Sequence, residues 1–372
     1  MRLISGYDAK TLRLLLGALT LAPCVAQAAP AYSIIDLGTL GGTYSEGYGI
    51  NASGQVTGQS ITNSYGYHAF VSTSSGLTDL GTLGGSQSLG TGVNAAGQVT
   101  GYSGTAGNTA DHAFISTRAG LKDLGTLGGL KSYGHGVNAA GLVTGESDVS
   151  RTGPSHAFVS TNSGLKDLGT LGGYSSVGHG INTTGQVTGS SDTADNGPQH
   201  AFVSTSAGLT DLGTLGGRSS YGRSINDAGQ VTGESDTRSG SYHAFVSTSA
   251  GLKDLGTLGG TNSSSYGINA TGQVTGFSDT ADNSHDAFLY DGTTMYDLNA
   301  LISPSSGWTL SDGYGINDLG QITGFGRING GVHAFLATPI ASPVPEPASL
   351  VMLGVGLLAT GAAVQRRRNA AL

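Results

Sequence analysis

One motif recurs along the chain at nearly constant spacing. An Asp-Leu-Gly or Asp-Leu-Asn triplet occurs seven times in one phase, and consecutive copies in this phase lie 43 or 44 residues apart. Its Asp residues are Asp36, Asp79, Asp123, Asp167, Asp211, Asp254 and Asp297. An Ile/Val-Asn pair recurs seven times and a His-Ala-Phe triplet six times in the same phase, with Asp286-Ala287-Phe288 as the one variant. Such a period predicts a repeat architecture in which each unit is one supersecondary element.

Each unit contains four short β-strand patterns and no helical periodicity. The first pattern ends at Ile/Val-Asn, the second is Gln-Val-Thr-Gly, the third is His-Ala-Phe-Val-Ser-Thr and the fourth is Leu-x-Asp-Leu-Gly. Asn-x-x-Gly turns join the first two, because Asn and Gly tolerate the positive φ angles of tight hairpins. Four strands in about 44 residues predict an all-β protein built from β-propeller blades.

The phase of the repeat predicts how the fold ends. The repeat region opens with a fourth-strand pattern at Ile34–Gly38 and finishes with a third-strand pattern at His333–Thr338. The first strand can therefore complete the last blade, which removes the exposed sheet edges that promote aggregation. We expect a single seven-bladed propeller over residues 29–343.

Residues 1–28 have the pattern of a secretory signal peptide. A basic start is followed by an apolar stretch and by Ala26-Gln27-Ala28, an A-x-A site for signal peptidase. Cleavage after Ala28 would remove Cys24, the only cysteine of the chain, which argues against a disulfide scaffold or a cysteine zinc site.

Residues 344–372 form a second targeting segment. Pro345-Glu346-Pro347 precedes an uncharged stretch at 348–364, long enough for a short membrane span, and Arg366, Arg367 and Arg368 follow it. This order resembles the PEP-CTERM sorting signal of Gram-negative bacteria. The resemblance implies transient membrane insertion, recognition by an exosortase-type enzyme, and display on or release from the outer surface of an exopolysaccharide-producing cell.

The repeated His-Ala-Phe and Asp-Leu-Gly motifs resemble the HAF family of extracellular repeats. The resemblance covers residues 32–338 and implies an extracellular repeat protein, but it implies no particular activity.

The charge pattern argues against a nucleic-acid-binding protein. The full chain has a net charge of −8 and no cluster of Lys or Arg before Arg366. The two end segments hold six of the 16 basic residues and two of the 24 acidic ones, so the repeat region carries a charge of −12. Such a surface repels nucleic acid and anionic lipid.

The repeated histidines and aspartates have a structural interpretation. Equivalent residues of neighbouring blades lie far apart unless they line the central axis, so six copies of one histidine do not predict a metal site. We expect them to form hydrogen bonds, for example to a neighbouring blade. Seven equivalent carboxylates likewise do not supply the two unlike groups that acid–base catalysis requires.

A ligand site is expected where the repeats differ. Three residues before the Asn of each first strand, the repeats carry seven variable residues: Tyr48, Thr91, His135, His179, Arg223, Tyr266 and Tyr314. If the first strand is innermost, strand alternation points these side chains toward one end of a central channel. Tyr, His and Arg suit a sugar or an anionic group. Ordinary packing between blades is the alternative interpretation.

Two further features could contact a ligand. Asp192 with Asp195, and Asp279 with Asp282, lie in two nearly identical loops whose oxygens suit Ca²⁺, although their spacing does not match a known calcium loop. The alternative is a set of polar turns that keep the protein soluble. Trp308, the only tryptophan, lies in an insertion where it could stack on a sugar or fill the blade beside the closure.

The leading hypothesis is an exported propeller that binds an extracellular matrix component, most simply exopolysaccharide, without catalysis and with no cofactor except a possible Ca²⁺ ion. One alternative is a glycan hydrolase or lyase on the same scaffold. Another is a structural scaffold or protein-interaction module. Near-identical blades with few carboxylates among their variable residues argue against an active site, and no phosphate-binding, nucleophile-elbow or zinc motif occurs.

Overall fold

The computed structural model describes residues 31–340 as an all-β protein of 28 strands. Both predicted targeting segments, including Ala26, Ala28, Pro345–Pro347, the 348–364 stretch and Arg366–Arg368, lie outside the described residues. Helical structure in the described part is limited to four short 3₁₀ turns at Ala106–Asn108, Ala194–Asn196, Leu298–Leu301 and Pro304–Ser306. The all-β prediction is confirmed.

Each repeat has four strands, which we call its first, second, third and fourth strand in the order in which they pair. The first strands are β2 (Gly41–Ile50), β6 (Gly84–Val93), β10 (Ser132–Val137), β14 (Gly172–Ile181), β18 (Gly216–Ile225), β22 (Gly259–Ile268) and β26 (Thr309–Ile316). The second strands are β3 (Val56–Thr62), β7 (Val99–Thr105), β11 (Val143–Asp148), β15 (Val187–Thr193), β19 (Val231–Thr237), β23 (Val274–Thr280) and β27 (Ile322–Ile328).

The third and fourth positions complete each unit. The third strands are β4 (Tyr67–Thr73), β8 (Asp111–Thr117), β12 (Ser155–Thr161), β16 (Gln199–Thr205), β20 (Tyr242–Thr248), β24 (His285–Tyr290) and β28 (Gly331–Ile340). The fourth strands are β5 (Gly76–Asp79), β9 (Gly120–Asp123), β13 (Gly164–Asp167), β17 (Gly208–Asp211), β21 (Gly251–Asp254), β25 (Met295–Asp297) and the N-terminal β1 (Ala31–Asp36). We number the repeats 1 to 7 by the order of their first strands.

The strands of each repeat pair in sequence order and antiparallel. Repeats 2 to 6 form five separate four-stranded sheets. Repeats 1 and 7 are grouped in one eight-stranded sheet, but only a single parallel bridge, between Tyr44 and Val332, joins their two halves. Repeated four-stranded antiparallel sheets are the building pattern of β-propellers.

The N-terminal strand lies in the sheet of repeat 7. β1 pairs antiparallel with β28, from Ala31 opposite Ile340 to Asp36 opposite Phe335. His333 Nδ1 lies 2.8 Å from an Asp36 carboxylate oxygen, although the two residues are 297 positions apart. β1 therefore takes the place that the fourth strand holds in every other repeat.

The hydrophobic core lies between the repeats. The Phe of every third strand is fully buried. One cluster joins Ala69 of repeat 1 to Val93, Val99 and Phe114 of repeat 2, and the clusters of the other repeats follow the same pattern. Since each Phe is covered partly by the adjacent sheet, one repeat alone cannot bury its apolar surface.

The glycine of the Val-Thr-Gly pattern is required by the spacing within each sheet. A Cβ atom on Gly189 would lie 1.8 Å from the Val177 carbonyl oxygen, and the equivalent glycines of the other repeats have the same contact at 1.8 or 1.9 Å. No side chain fits there without movement of the backbone. This steric requirement explains why Val/Ile-Thr-Gly recurs in all repeats.

Candidate functional site

A cyclic series of asparagine hydrogen bonds connects the first strands. In each repeat the Nδ2 atom of the Asn that follows the first strand donates to the backbone carbonyl of the equivalent Asn in the next repeat, at 3.0–3.3 Å. The last bond runs from Asn317 to the carbonyl of Asn51, so the series returns to repeat 1. The Oδ1 atom accepts backbone N–H groups of its own turn, as Asn182 does from Gln186. These residues therefore fix the hairpin turn and position the neighbouring first strand.

A β-bulge lies at each variable position. In repeat 3 the pairing between β10 and β11 shifts between Gly134 and Gly136, which leaves His135 as the extra residue. The same shift isolates the variable residue in the other six repeats. Bulges redirect side chains. Strand alternation was predicted as the reason for the orientation of these residues. The bulge, and not simple alternation, sets their orientation.

The variable residues of all seven repeats line one cavity of about 200 Å³. Each repeat contributes the variable residue and the two residues after it, such as His135, Gly136 and Val137. The structure thus brings together Tyr48, Thr91, His135, His179, Arg223, Tyr266 and Tyr314. We call this space the axial cavity. A second cavity, lined by Asn269, Asn317 and neighbouring residues, shares Ile50, Ile268 and Ile316 with the axial cavity.

Three tyrosines from consecutive repeats form one arc of the axial cavity. The ring of Tyr314 lies 4.8 Å from that of Tyr266 and 4.9 Å from that of Tyr48, measured between centroids. Burial raises the pKa of all three hydroxyls, and nearby carboxylates raise it further. The three side chains are therefore neutral hydrogen-bonding groups with large aromatic surfaces.

The opposite arc carries Thr91, two imidazoles and a guanidinium. The rings of His135 and His179 lie 5.2 Å apart, and Arg223 Nη1 lies 3.3 Å from His179 Nε2. Burial lowers the pKa of His179, and the positive charge of Arg223 and the neighbouring His135 lower it further. His179 is therefore uncharged at neutral pH and accepts the hydrogen bond from Arg223.

Four carboxylates stand next to the variable residues, and the sequence analysis did not identify them as part of this site. Glu46 accepts hydrogen bonds from the hydroxyl of Tyr48 and from Gln59 Nε2. Glu234 pairs with Arg223 Nη2 at 2.7 Å, and Glu146 lies 3.9 Å from His135 Nε2.

The fourth carboxylate, Asp312, is almost completely buried and lies 3.4 Å from His285 Nε2. Glu46 and Asp312 each precede a variable residue by two positions, whereas Glu146 and Glu234 lie on second strands. The sequence could have revealed Glu146 and Glu234 through the variable residue of the second-strand Val-Thr-Gly-x-Ser pattern. It could have revealed Glu46 and Asp312 through the position two residues before each variable residue of the first strand.

Three buried side-chain polar atoms in the described part of the chain have no hydrogen-bond partner. They are His135 Nε2, Arg223 Nε and Ser264 Oγ. The first two belong to residues of the axial cavity, and Ser264 is a fully buried residue two positions before Tyr266. Buried polar groups are nearly always paired in folded proteins, so each exception requires an explanation.

Trp308 lies outside the axial cavity. Its ring packs edge-on against Phe335 at 6.1 Å, beside the cluster that includes Tyr32 of β1 and Leu298. This position agrees with the interpretation that Trp308 fills space beside the N-terminal strand. It does not agree with stacking on a sugar in the axial cavity.

The Asp-rich loops do not bring their carboxylates together. Asp192 accepts the backbone N–H of Ser175, and Asp279 accepts that of Asn262. Asp282 bonds within its own loop, and Asp195 has a positive φ angle of 59° in a 3₁₀ turn. Within residues 31–340 no group of three or more His, Cys, Asp or Glu side chains could hold a metal ion.

The repeated histidines bond within their own sheets. Each His of a His-Ala-Phe triplet lies 2.8–2.9 Å through Nδ1 from the Asp of the Asp-Leu-Gly motif on the adjacent fourth strand. The suggestion of a bond to a neighbouring blade is therefore wrong, because antiparallel pairing of the third and fourth strands already places the two motifs side by side. The pair ties the outermost strand to its sheet.

The end of the sequence matches a known sorting signal. Residues 343–368 match the PEP-CTERM protein-sorting motif. The chain carries a PEP-CTERM signal. The match includes Pro345, Glu346, Pro347 and the three arginines, and it indicates export, a membrane-anchored C-terminal segment and recognition for exosortase processing. Of the residues that the structure describes, none lies in a helix long and apolar enough to cross a membrane.

Solved structures with similar strand arrangements are distant from this chain. A protein from Agrobacterium tumefaciens assigned as TolB is 14% identical, with a TM-score of 0.45, and the match covers 85% of this chain and 100% of that one. The β-propeller domain of the Trilobed protease from Pyrococcus furiosus is 8% identical, with a TM-score of 0.39 and coverages of 69% and 97%.

A lectin from Aleuria aurantia, solved with a fucose-containing disaccharide, is 13% identical, with a TM-score of 0.34 and coverages of 82% and 98%. No curated protein matches the sequence. The description of the fold therefore rests on the strand pairing of this chain itself.

Proposed function

We propose that the chain is an exported seven-bladed β-propeller that closes through its N-terminal strand and binds a sugar residue of an extracellular polysaccharide, without catalysis. Closure is supported by the asparagine hydrogen bonds, which run through all seven repeats and return from Asn317 to Asn51. It is also supported by the pairing of β1 with β28.

The unpartnered polar atoms carry the proposal for the axial cavity. Arg223 Nε is a donor without an acceptor, and His135 Nε2 can donate or accept. Both residues line the axial cavity. A sugar presents several hydroxyls that both donate and accept, so one sugar residue could supply partners for these two atoms. The tyrosine arc would supply the aromatic contact that complements the apolar face of a pyranose.

The size of the cavity favours a single sugar residue. Pockets for drug-sized ligands usually enclose about 300–1,000 Å³. At about 200 Å³, the axial cavity is smaller than this range. It therefore suits one terminal or side-branch residue rather than an internal stretch of polymer.

The environment of the nearby carboxylates supports binding without catalysis. A glycosidase requires one carboxyl group that gives a proton and a second that acts as nucleophile or base. Glu46 is held by Tyr48 and Gln59, and Glu234 is held by Arg223. These bonds give Glu46 and Glu234 a positioning role toward Tyr48 and Arg223, which is the role that binding requires.

The sorting signal supports an extracellular ligand. A protein recognised by an exosortase-type enzyme is delivered through the cell envelope, and the signal resembles one that accompanies exopolysaccharide production. We propose the outer surface or the surrounding matrix of a Gram-negative cell as the place of action.

The test measures retention of the exported protein on the extracellular polysaccharide of the producing cells. Combined substitution of Tyr48, His135, His179 and Arg223 by alanine should weaken retention at least about tenfold, because stacking and hydrogen bonds are lost together. The matched control replaces two exposed tyrosines, Tyr65 and Tyr174, by alanine and should be retained normally.

Circular dichroism establishes that each variant is folded. Equal retention of the two variants would reject the axial cavity as the binding site. Shortening of the polymer after incubation with the unmodified protein would instead indicate a glycan-cleaving enzyme.

A further inference from the structure

We infer that the axial cavity selects an uncharged sugar residue and rejects acidic sugars such as uronates. This inference rests on the proposed function and specifies its ligand class. It narrows the expectation that Tyr, His and Arg suit a sugar or an anionic group to an uncharged sugar.

The positive charge of the cavity is already neutralised. Arg223 is paired with Glu234 at 2.7 Å, so the positive charge of its guanidinium is already balanced by a carboxylate. His179 is held in its uncharged form by burial and by Arg223. His135 lies 3.9 Å from the carboxylate of Glu146.

The remaining carboxylates make the surroundings negative. Glu46 is 8% exposed, and its partners are the neutral groups of Tyr44, Tyr48 and Gln59. Asp312 raises the pKa of both Tyr266 and Tyr314, which places its charge close to the tyrosine arc. His285, beside Asp312, is the group that can offset this charge on protonation.

The balance of charges around the axial cavity therefore disfavours an anionic ligand. None of the four carboxylates lines the cavity, but Glu46, Glu146 and Glu234 lie against residues that do, and Arg223 is the one permanently charged cation among the lining residues. Like charges in a partly buried site repel strongly, because the surrounding protein screens them less than water does. A uronate placed here would meet several negative charges and no free cation.

The groups left for a ligand suit hydroxyls. Arg223 Nε and His135 Nε2 are unpartnered atoms of residues that line the cavity, and each can form a hydrogen bond with a hydroxyl group. A neutral pyranose supplies such groups without an added charge. The recognised ligand is therefore a hexose, pentose or deoxyhexose residue rather than an acidic one.

The experiment compares pairs of polymers that differ only in charge. Neutral polysaccharides of glucose, galactose, mannose or fucose are each tested before and after oxidation of primary hydroxyls to carboxylates, or after addition of carboxymethyl groups where no primary hydroxyl exists. Retention of the exported protein is measured at low salt and at about 1 M salt, where the Debye length is about 3 Å.

We expect at least one neutral polymer to be retained and its acidic form to bind at least about tenfold more weakly at low salt. High salt should reduce this difference, because the repulsion is screened. Glu234→Gln and Asp312→Asn should each strengthen binding of the acidic form several-fold at low salt. The control Asp195→Asn, at an exposed loop residue, should not change the ratio between the two forms.

Tighter retention of an acidic polymer than of its neutral parent at low salt would overturn the inference while leaving the proposed function in place. Equal retention of both forms would overturn it in the same way. Failure of every polymer and of the native matrix to be retained would reject the inference together with the proposed function.

Discussion

At the scale of single residues, two histidines near the axial cavity experience opposite environments. Burial lowers the pKa of His179, and the charges of Arg223 and His135 add to this effect. A hydrogen bond to Asp312 raises the pKa of His285 above its usual value, although burial opposes it. Protonation of histidine therefore lowers the stability of the fold at His179 and raises it at His285.

The pH dependence of unfolding should separate these effects. In the unfolded chain both imidazoles titrate near pH 6.5. Below this pH the unfolded state binds a proton at His179 that the folded state does not, so His179 lowers stability as the pH falls. His285 binds its proton more tightly in the folded state, so its contribution is complete below about pH 6.5 and is lost as the pH rises through its folded pKa.

The measurement is the urea midpoint of unfolding between about pH 5 and about pH 8. His179→Gln should make the loss of stability on acidification smaller than in the unmodified protein, and His285→Gln should make it larger. Parallel pH profiles for all three proteins would contradict the assigned environments.

At the scale of secondary-structure elements, the Val-Thr-Gly segment sets the contact between the first and second strands. The two backbones approach so closely at Gly189 that an added Cβ would overlap the Val177 carbonyl. The glycine therefore allows the bulged first strand to lie against its partner. Its role differs from that of the turn glycines, which are required for a positive φ angle.

Substitution of two glycines in the same repeat tests this distinction. Gly189→Ala should lower the free energy of unfolding by about 3 kcal/mol or more, because the backbone must move. Gly213→Ala has open space around the new methyl group, and the cost should be about 1 kcal/mol, from the φ angle of 73° alone. Chemical denaturation measures both changes, and equal losses would show that the close approach is not the controlling contact.

At this scale the sequence predicts some features of the strands and not others. Strand order, the Asn-x-x-Gly turns and the axial position of Tyr48 or His135 followed from the repeat. The bulge that orients these side chains did not, because it depends on how many residues the partner strand places opposite it. The carboxylates of Glu146 and Glu234 were missed because they reach the site from another strand.

At the scale of the whole molecule, the two ends of the described chain lie side by side in one sheet. β1 supplies the fourth strand of repeat 7, with Tyr32 buried and its hydroxyl donating to the Gly320 carbonyl at 3.0 Å. Ile34 packs against the core cluster of repeat 7, whereas the next residue, Ile35, is 55% exposed.

Ile34 packs against the core and Ile35 is exposed, so substitutions at these two residues form a matched pair. Ile34→Asp should lower the free energy of unfolding by about 2 kcal/mol or more, because a carboxylate replaces a packed side chain. It should also make β1 sensitive to limited proteolysis. Ile35→Asp introduces the same charge on the solvent side and should change stability by less than about 0.5 kcal/mol. Similar thermal unfolding and cleavage of the two variants would contradict the role of β1 in joining the ends.

The sequence alone determined the all-β class, the number of repeats, the position of each strand and the sorting motif at the C-terminus. These features are local or periodic, so a single stretch of about 44 residues contains the information and its copies reinforce it. The variable residues were also visible, since a position that changes among near-identical repeats stands out.

Only the tertiary structure decided the partner of each repeated histidine and the position of Trp308 beside Phe335. It also revealed Glu234 as the carboxylate partner of Arg223 and Asp312 as that of His285. These properties arise from side chains that meet across strands and across repeats. Their distances depend on strand register, bulges and the association of neighbouring sheets, which the pattern of one repeat does not specify.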